Sequence, residues 1–250
     1  MKFPPALVAA SHGTSHPGGQ RAVATLVRVV TARFGDLLVR EAFVDVQQPD
    51  VPKTVSALEP GRDVVVVPLL LSAGYHVHVD LTRAADDATD RHVRVAAALG
   101  PDARLAGVLC RRLEEAGLAP DDVVVLAAAG SSDRRAVEDC RVAAAQLAEV
   151  LRRPVTVGFI SAATPRLSDA VTAARIPGRR TVIASYLLAP GYFAELAQGA
   201  GADLVAAPLL IADGATPPEL VEIVCDRYLA VCNADVSASF HKAAGAVTTW

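Results

Sequence analysis

Two copies of one sequence pattern follow each other in this chain, separated by about 117 residues. The matched segments are Ser11–Ser15 with Ala128–Ser132, Phe43–Pro49 with Phe159–Pro165, and Pro68–His76 with Ser185–Phe193. Self-similarity in a fixed order and at a fixed spacing is typical of duplicated structural units. The 250-residue chain is therefore predicted to form two similar lobes, residues 1–117 and 118–232, followed by a tail, residues 233–250, that we expect to be loosely ordered.

Short β-branched runs alternate with longer helical patterns in both copies, which indicates βαβ units and an α/β fold with parallel sheets. The predicted strands are Ala6–Ala10, Val39–Val44, Val64–Leu71, Val93–Ala97, Val123–Ala128, Val155–Phe159, Thr181–Leu187 and Leu204–Ala207. The clearest predicted helices are Pro17–Phe34, Ala103–Ala116, Asp133–Leu151, Pro165–Ala174 and Pro217–Cys232.

Charge and hydropathy argue against several classes of protein. A net charge of −3 and a pI near 6.1 give no global positive field for nucleic acid. Mean hydropathy is high at +0.34, but the apolar runs fall short of the roughly 20 residues that span a bilayer. The first ten residues make no convincing secretion signal, so we expect a cytoplasmic protein with neither nucleic-acid nor membrane partners.

The four cysteines show no C-x-x-C pair and no Cys/His spacing typical of a structural zinc site. They are Cys110, Cys140, Cys225 and Cys232, and we expect them to be buried free thiols.

The polar differences between the two copies point to a site in the first. Three chemically active residues of the first copy are replaced in the second, while the glycines and prolines around them persist: His12 by Ala129, Asp45 by Ser161, and His76 by Phe193. All three lie at or just beyond the carboxyl end of a predicted strand, where open α/β sheets bind ligands. Two imidazoles and a carboxylate can bind a divalent transition metal, accept a proton, or do both.

Structural roles remain open for these and neighbouring residues. His12 could be a turn histidine bonded to the next strand, and Asp45 could accept a hydrogen bond from a loop amide. Asp45 also stands in an apolar strand end, where a carboxylate is costly unless it is paired or functional. His16 could face the site, and His78 is expected to have a surface or accessory role.

Other catalytic motifs do not fit. The sequence has neither a phosphate-binding glycine loop nor a G-x-S-x-G nucleophile turn. The turn Ser11–Thr14 shares His-Gly-Thr with the histidine phosphatases, but Ser11 stands where they need arginine.

Three segments, Leu7–Thr14, Ala42–Pro49 and Pro68–Leu81, resemble the sirohydrochlorin chelatases of the CbiX/SirB type, which are class II tetrapyrrole chelatases. The resemblance covers roughly residues 5–232. The duplicated arrangement of the chain resembles that of the long, two-domain members of the family. It implies two flavodoxin-like lobes around a cleft, in which a divalent metal enters sirohydrochlorin without ATP, for sirohaem or cobalamin biosynthesis.

The resemblance also implies roles for individual residues. His12 and His76 match the two histidines that the family uses for metal binding and pyrrole deprotonation, and Asp45 falls where the family commonly has Glu. The expected activity is that of a lyase, a ferrochelatase or cobaltochelatase, with sirohydrochlorin and Fe2+, Co2+ or Ni2+ as substrates and no further cofactor. The alternative is a non-catalytic metal-binding or tetrapyrrole-binding protein of the same fold, in either case a monomer or homodimer.

Arginine carries almost all the positive charge, and its planar fork suits the carboxylates of such a substrate. The candidate partners, chosen by their place in the sequence, are Arg83, Arg111, Arg112, Arg134 and Arg135.

Overall fold

The computed structural model describes the backbone of residues 3–72, 81 and 91–245, and side chains within that part of the chain as far as residue 234. The predicted site residue His76 lies outside the described residues, as do His78 and Arg83.

Two four-stranded parallel sheets form the framework, which confirms the predicted α/β fold of two similar lobes. The strand orders are β2-β1-β3-β4 in the first sheet and β6-β5-β7-β8 in the second. The strands are β1 Ala6–Ser11, β2 Val39–Phe43, β3 Val64–Pro68, β4 Val93–Val95, β5 Val123–Ala128, β6 Val155–Phe159, β7 Thr181–Tyr186 and β8 Leu204–Val205. Every residue of β1, β3 and β7 is buried, as expected of central parallel strands covered on both faces.

The helices of the described residues are α1 Pro17–Phe34, α2 Val51–Ser56, α3 Ala103–Glu115, α4 Arg134–Leu151, α5 Leu167–Ala174, α6 Tyr192–Gln198 and α7 Pro218–Gly245. The sequence predicted neither α2 nor α6, because six or seven residues give no clear helical period. The predicted helix end at Cys232 was wrong. Helix α7 continues to Gly245 through a segment rich in alanine. Alanine has a high intrinsic helix propensity, so it favours a helix even where the sequence shows no periodic apolar pattern. No helix in the described parts of the chain is long and apolar enough to cross a membrane.

The last helix of each half packs on the other half. Helix α3 follows the first sheet but packs against α4 and β7, whereas α7 follows the second sheet and packs against β3 and α1. Arg112 of α3 is buried and donates to the carbonyl oxygens of Pro208 and Leu209, at 3.2 Å and 2.9 Å. In α7, the Tyr228 hydroxyl donates to the carbonyl of Pro5 at 2.7 Å. The predicted division at residues 117 and 118 therefore separates the two sheets, while the terminal helices join the halves.

The cysteine thiols are free, as predicted, but they are not equally buried. Cys140 is buried, and this burial raises the pKa of its thiol to about 11, whereas Cys110, Cys225 and Cys232 are half-buried.

Tyr186, at the end of β7, links the two halves through a buried hydrogen bond. Its hydroxyl donates to the carbonyl oxygen of Leu71 at 2.9 Å, and only 2% of the residue is exposed. Gly100 makes room for this contact, since a Cβ there would collide with the Tyr186 hydroxyl and the Leu71 carbonyl. Burial also raises the pKa of Tyr186 far above its usual range, so the hydroxyl keeps the proton that it donates.

Tyr186→Phe is predicted to lower the free energy of unfolding by about 1–3 kcal/mol, because the Leu71 carbonyl loses its donor. Urea unfolding measures the change. The matched control is Tyr192→Phe, which removes a hydroxyl from a residue that is 68% exposed and is expected to stay within about 0.5 kcal/mol of the wild type. Equal stability of the two variants would contradict the link.

Candidate active site

His12 follows β1 directly, at the carboxyl end of the first sheet, and its side chain is exposed. The chain turns at Gly13, which has φ +90°, a conformation that favours glycine. A Cβ on Gly13 would lie 2.6 Å from the carbonyl oxygen of Asp45. The missing side chain therefore lets the turn that carries His12 press against the loop that follows β2.

Asp45 is held beside His12 by the backbone. Its amide donates to the His12 carbonyl at 3.0 Å, and one carboxylate oxygen accepts from the amide of Val46 at 2.8 Å. The carboxylate is exposed, since β2 ends at Phe43. The expectation of a carboxylate in an apolar strand end was therefore wrong, whereas the expected alternative, a bond to a loop amide, is present. The structure brings His12 and Asp45 together at one sheet edge and leaves both side chains open to a ligand.

The side chain of Gln47 holds the turn that carries His12, and this residue was not singled out from the sequence. Its side-chain oxygen accepts from the amide of Thr14 at 2.9 Å, and the Gln20 side chain donates to the Thr14 carbonyl at 2.8 Å. The second copy has Ala163 at the position of Gln47. The comparison of the two copies, extended by two residues beyond Asp45, would have revealed it.

His16 has a structural role at the beginning of α1. Its Nδ1 accepts from the amide of Gly19 at 3.2 Å, which caps the helix. Its counterpart in the second copy, Asp133, caps α4 by accepting from the Arg135 amide at 2.8 Å. Because the cap occurs in both copies, it belongs to the scaffold.

The second half repeats this backbone without the reactive groups. Gly130 also has φ +90°, and a Cβ there would collide with the carbonyl of Ser161. The Ser161 amide donates to the carbonyl of Ala129 at 2.9 Å, as Asp45 does to His12. The local fold thus requires neither the imidazole nor the carboxylate, which makes their presence in the first half informative.

The loop after β7 closes the other side of the site. A Cβ on Gly191 would lie 3.1 Å from the Thr14 hydroxyl, and a Cβ on Gly19 would collide with the carbonyl of Pro190. The carboxyl edges of the two sheets therefore meet near His12. A ligand at His12 would face both halves of the chain.

Two of the candidate arginines are engaged in structural contacts. Arg111 forms a two-pronged ion pair with Glu219 at 2.6 Å and 2.8 Å, which holds the pKa of Glu219 below its usual range. Arg112 is buried against carbonyls, as described above. Arg134 and Arg135 are exposed at the beginning of α4 and stay candidates for contacts with carboxylates.

In the described part of the chain, no group of three His, Cys, Asp or Glu side chains is placed to hold a metal ion. His76, the third member of the predicted set, lies outside that part. The pair His12 and Asp45 supplies an imidazole and a carboxylate, which can bind a metal ion or move a proton.

Comparison with known proteins settles the family. The model of the CbiX family matches residues 6–116 and 123–197, which covers most of both halves. The chain belongs to the CbiX family. It is 32% identical over 80 residues to a sirohydrochlorin cobaltochelatase of Sulfurisphaera tokodaii, a match that covers 31% of this chain and 67% of that protein.

Solved structures share the fold of this CbiX-family chain. SirB from Bacillus subtilis with Fe3+ has a TM-score of 0.73 at 21% identity, with 90% of this chain and 94% of SirB covered. CbiX, described as the terminal enzyme of siroheme biosynthesis in denitrifying bacteria, has a TM-score of 0.63 at 21% identity, with 88% and 97% covered. Both likenesses extend over the two halves.

Gly13→Ala and Gly130→Ala are a matched pair that separates fold from site. Both are predicted to lower the free energy of unfolding by at least about 1–2 kcal/mol, because each places a Cβ at positive φ against a carbonyl. Only Gly13→Ala displaces the loop of Asp45, so it should impair the activity of the folded protein far more. Urea unfolding and an activity assay well below the unfolding temperature test this, and equal loss of activity in both variants would contradict it.

Proposed function

We propose that this protein is a sirohydrochlorin chelatase that inserts a divalent metal ion into the tetrapyrrole without ATP. The observation that carries the proposal is the pairing of His12 with Asp45 at the carboxyl edge of the first sheet, on a backbone that the second half repeats without them. Membership of the CbiX family and the similarity to a sirohydrochlorin cobaltochelatase support the same substrate.

Metal insertion needs a proton acceptor and ligands for the metal ion, and the proposed site offers both kinds of group. A free tetrapyrrole keeps two protons on its inner nitrogens, and both must leave as the metal enters. A neutral imidazole accepts a proton near pH 7, so His12 is the proposed proton acceptor or metal ligand. Asp45 compensates the positive charge that appears on the imidazole, or passes the proton to water. His76 is the proposed second imidazole.

Fe2+ and Co2+ are the proposed metal substrates, with sirohaem or a cobalamin precursor as the destination of the product. Related structures hold Fe3+ or cobalt: SirB from Bacillus subtilis with Fe3+, and SirB from its subspecies spizizenii in complex with cobalt. Imidazole and carboxylate ligands accept either ion, and availability in the cell often decides between such ions. The proposed enzyme is a lyase that works in the direction of metal insertion.

The proposal is tested by mixing the protein anaerobically with sirohydrochlorin and Fe2+, Co2+ or Ni2+ in turn. We expect the absorption spectrum to change to that of the metallated product much faster than without protein, for at least one metal. Tight binding of sirohydrochlorin without faster insertion would instead support a non-catalytic tetrapyrrole-binding protein. No acceleration with any metal would overturn the proposal.

His12→Ala is predicted to lower kcat for insertion by about 100-fold or more, since a positioned proton acceptor contributes a factor of that size. The matched control is His16→Asp, which replaces the helix cap with the residue that the second half uses and should keep most of the activity. Steady-state rates of both variants measure the effect. An unchanged kcat for His12→Ala would show that the site is wrongly assigned.

A further inference from the structure

Helix α6 exposes an apolar surface next to the candidate active site. Tyr192 is 68% exposed, Phe193 36% and Leu196 39%, whereas the buried residue of this helix is Ala197. The two rings touch each other, with centroids 6.1 Å apart and planes tilted by 35°. We call Tyr192, Phe193 and Leu196 the aromatic platform.

The aromatic platform adjoins the turn that carries His12. Gly191, the residue before Tyr192, is the one whose Cβ would lie 3.1 Å from the Thr14 hydroxyl, and Thr14 is two residues after His12. Pro190, one residue earlier, packs against Gly19 at the beginning of α1. These contacts place exposed rings of the second half within a few residues of the proposed reactive group of the first half.

An exposed large apolar residue is also present on the first half of the site. Val46, next to Asp45, is 57% exposed. Its φ of +52° is matched by the φ of +51° at Ala162 in the second half, so this backbone conformation belongs to the scaffold, whereas the exposed valine side chain is specific to the first half. Exposed apolar side chains on both sides of a candidate site are typical of ligand binding.

The two copies differ in the residues that form the aromatic platform. Where the second half has Phe193 and Leu196, the first has His76 and Val79, while Tyr192 corresponds to Tyr75. The second copy thus has a ring without a titratable nitrogen and a larger aliphatic side chain. This change removes proton chemistry and adds apolar contact area.

We infer that the aromatic platform binds one apolar face of the tetrapyrrole ring and holds its centre opposite His12, an inference that rests on the proposed function. Sirohydrochlorin is a broad conjugated ring with apolar faces and a rim of carboxylates. Aromatic side chains pack on such faces in offset or tilted arrangements, with ring centroids about 4.5–7 Å apart. The second half is therefore a substrate-binding half, and Tyr192 and Phe193 set the affinity for the tetrapyrrole and not for the metal ion.

The inference is tested with the double variant Tyr192→Ala, Phe193→Ala in the full-length protein. Titration of sirohydrochlorin without metal, followed by its fluorescence, should give a Kd at least about tenfold above that of the wild type, because two ring contacts are lost. The KM for sirohydrochlorin should rise by a similar factor, whereas the KM for the metal ion should stay within about twofold of the wild type.

Two further variants make the result specific. Ile176→Ala removes another exposed apolar residue, 45% exposed and beyond the end of α5, and should leave the Kd unchanged. The exchange Tyr192→Phe, Phe193→Tyr retains both rings and should restore binding to within about threefold of the wild type. If the double variant does not fold, judged by thermal unfolding, Tyr192→Ser alone is measured, with a Kd at least about threefold above that of the wild type expected.

The outcomes separate the two proposals. An unchanged Kd in the double variant, with wild-type protein that inserts metal, overturns the role of the platform and leaves the proposed function standing. Wild-type protein that neither binds sirohydrochlorin nor accelerates insertion overturns both. A rise in the KM for metal equal to that for sirohydrochlorin also overturns the inference, since it would place the platform in metal delivery.

Discussion

Gly13 has no room for a side chain, and the candidate site depends on this close approach. A Cβ there would lie 2.6 Å from the carbonyl oxygen of Asp45, so the turn after β1 and the loop after β2 touch backbone to backbone. The amide of Asp45 then reaches the carbonyl of His12, and Gln47 reaches the amide of Thr14. These contacts therefore fix the positions of His12 and Asp45, and both residues remain exposed to a substrate.

The second half both repeats the backbone of this site and packs against it. Its own turn at Gly130 repeats the same backbone contact with Ser161, so this local backbone conformation forms without the imidazole and the carboxylate. The second half also makes direct contacts with the first half. Tyr186 holds the Leu71 carbonyl, α7 covers the first sheet, and the loop at Gly191 packs on Thr14. The duplicated half thus supports the site, and in our proposal it also binds the substrate.

Much of the framework could be predicted from the sequence because buried parallel strands are continuous β-branched runs. The bounds of β5, β6 and α1 agree with the prediction to the residue, and the others mostly differ by a few residues at their ends. The exchange of α3 and α7 between the halves could not be predicted, since an amphipathic helix shows which face is buried but not which sheet buries it.

The site was predictable only in part. Comparison of the two copies singled out His12 and Asp45, which the structure brings together. It did not reveal the cap formed by His16, because a histidine cap and an aspartate cap share no obvious sequence pattern. The exposure of Asp45 was missed because β2 ends two residues before it, at Phe43. His76, in the third predicted position, stays a prediction.

The central claim is that the chemistry resides in the first half, on a backbone that does not need it. The most direct measurement replaces His12 by Ala and Asp45 by Ser, the residues that the second half has at these positions, and follows metal insertion into sirohydrochlorin. The account predicts a rate no faster than that without protein, together with an unchanged thermal unfolding temperature. A folded double variant that inserts metal at the wild-type rate would contradict it.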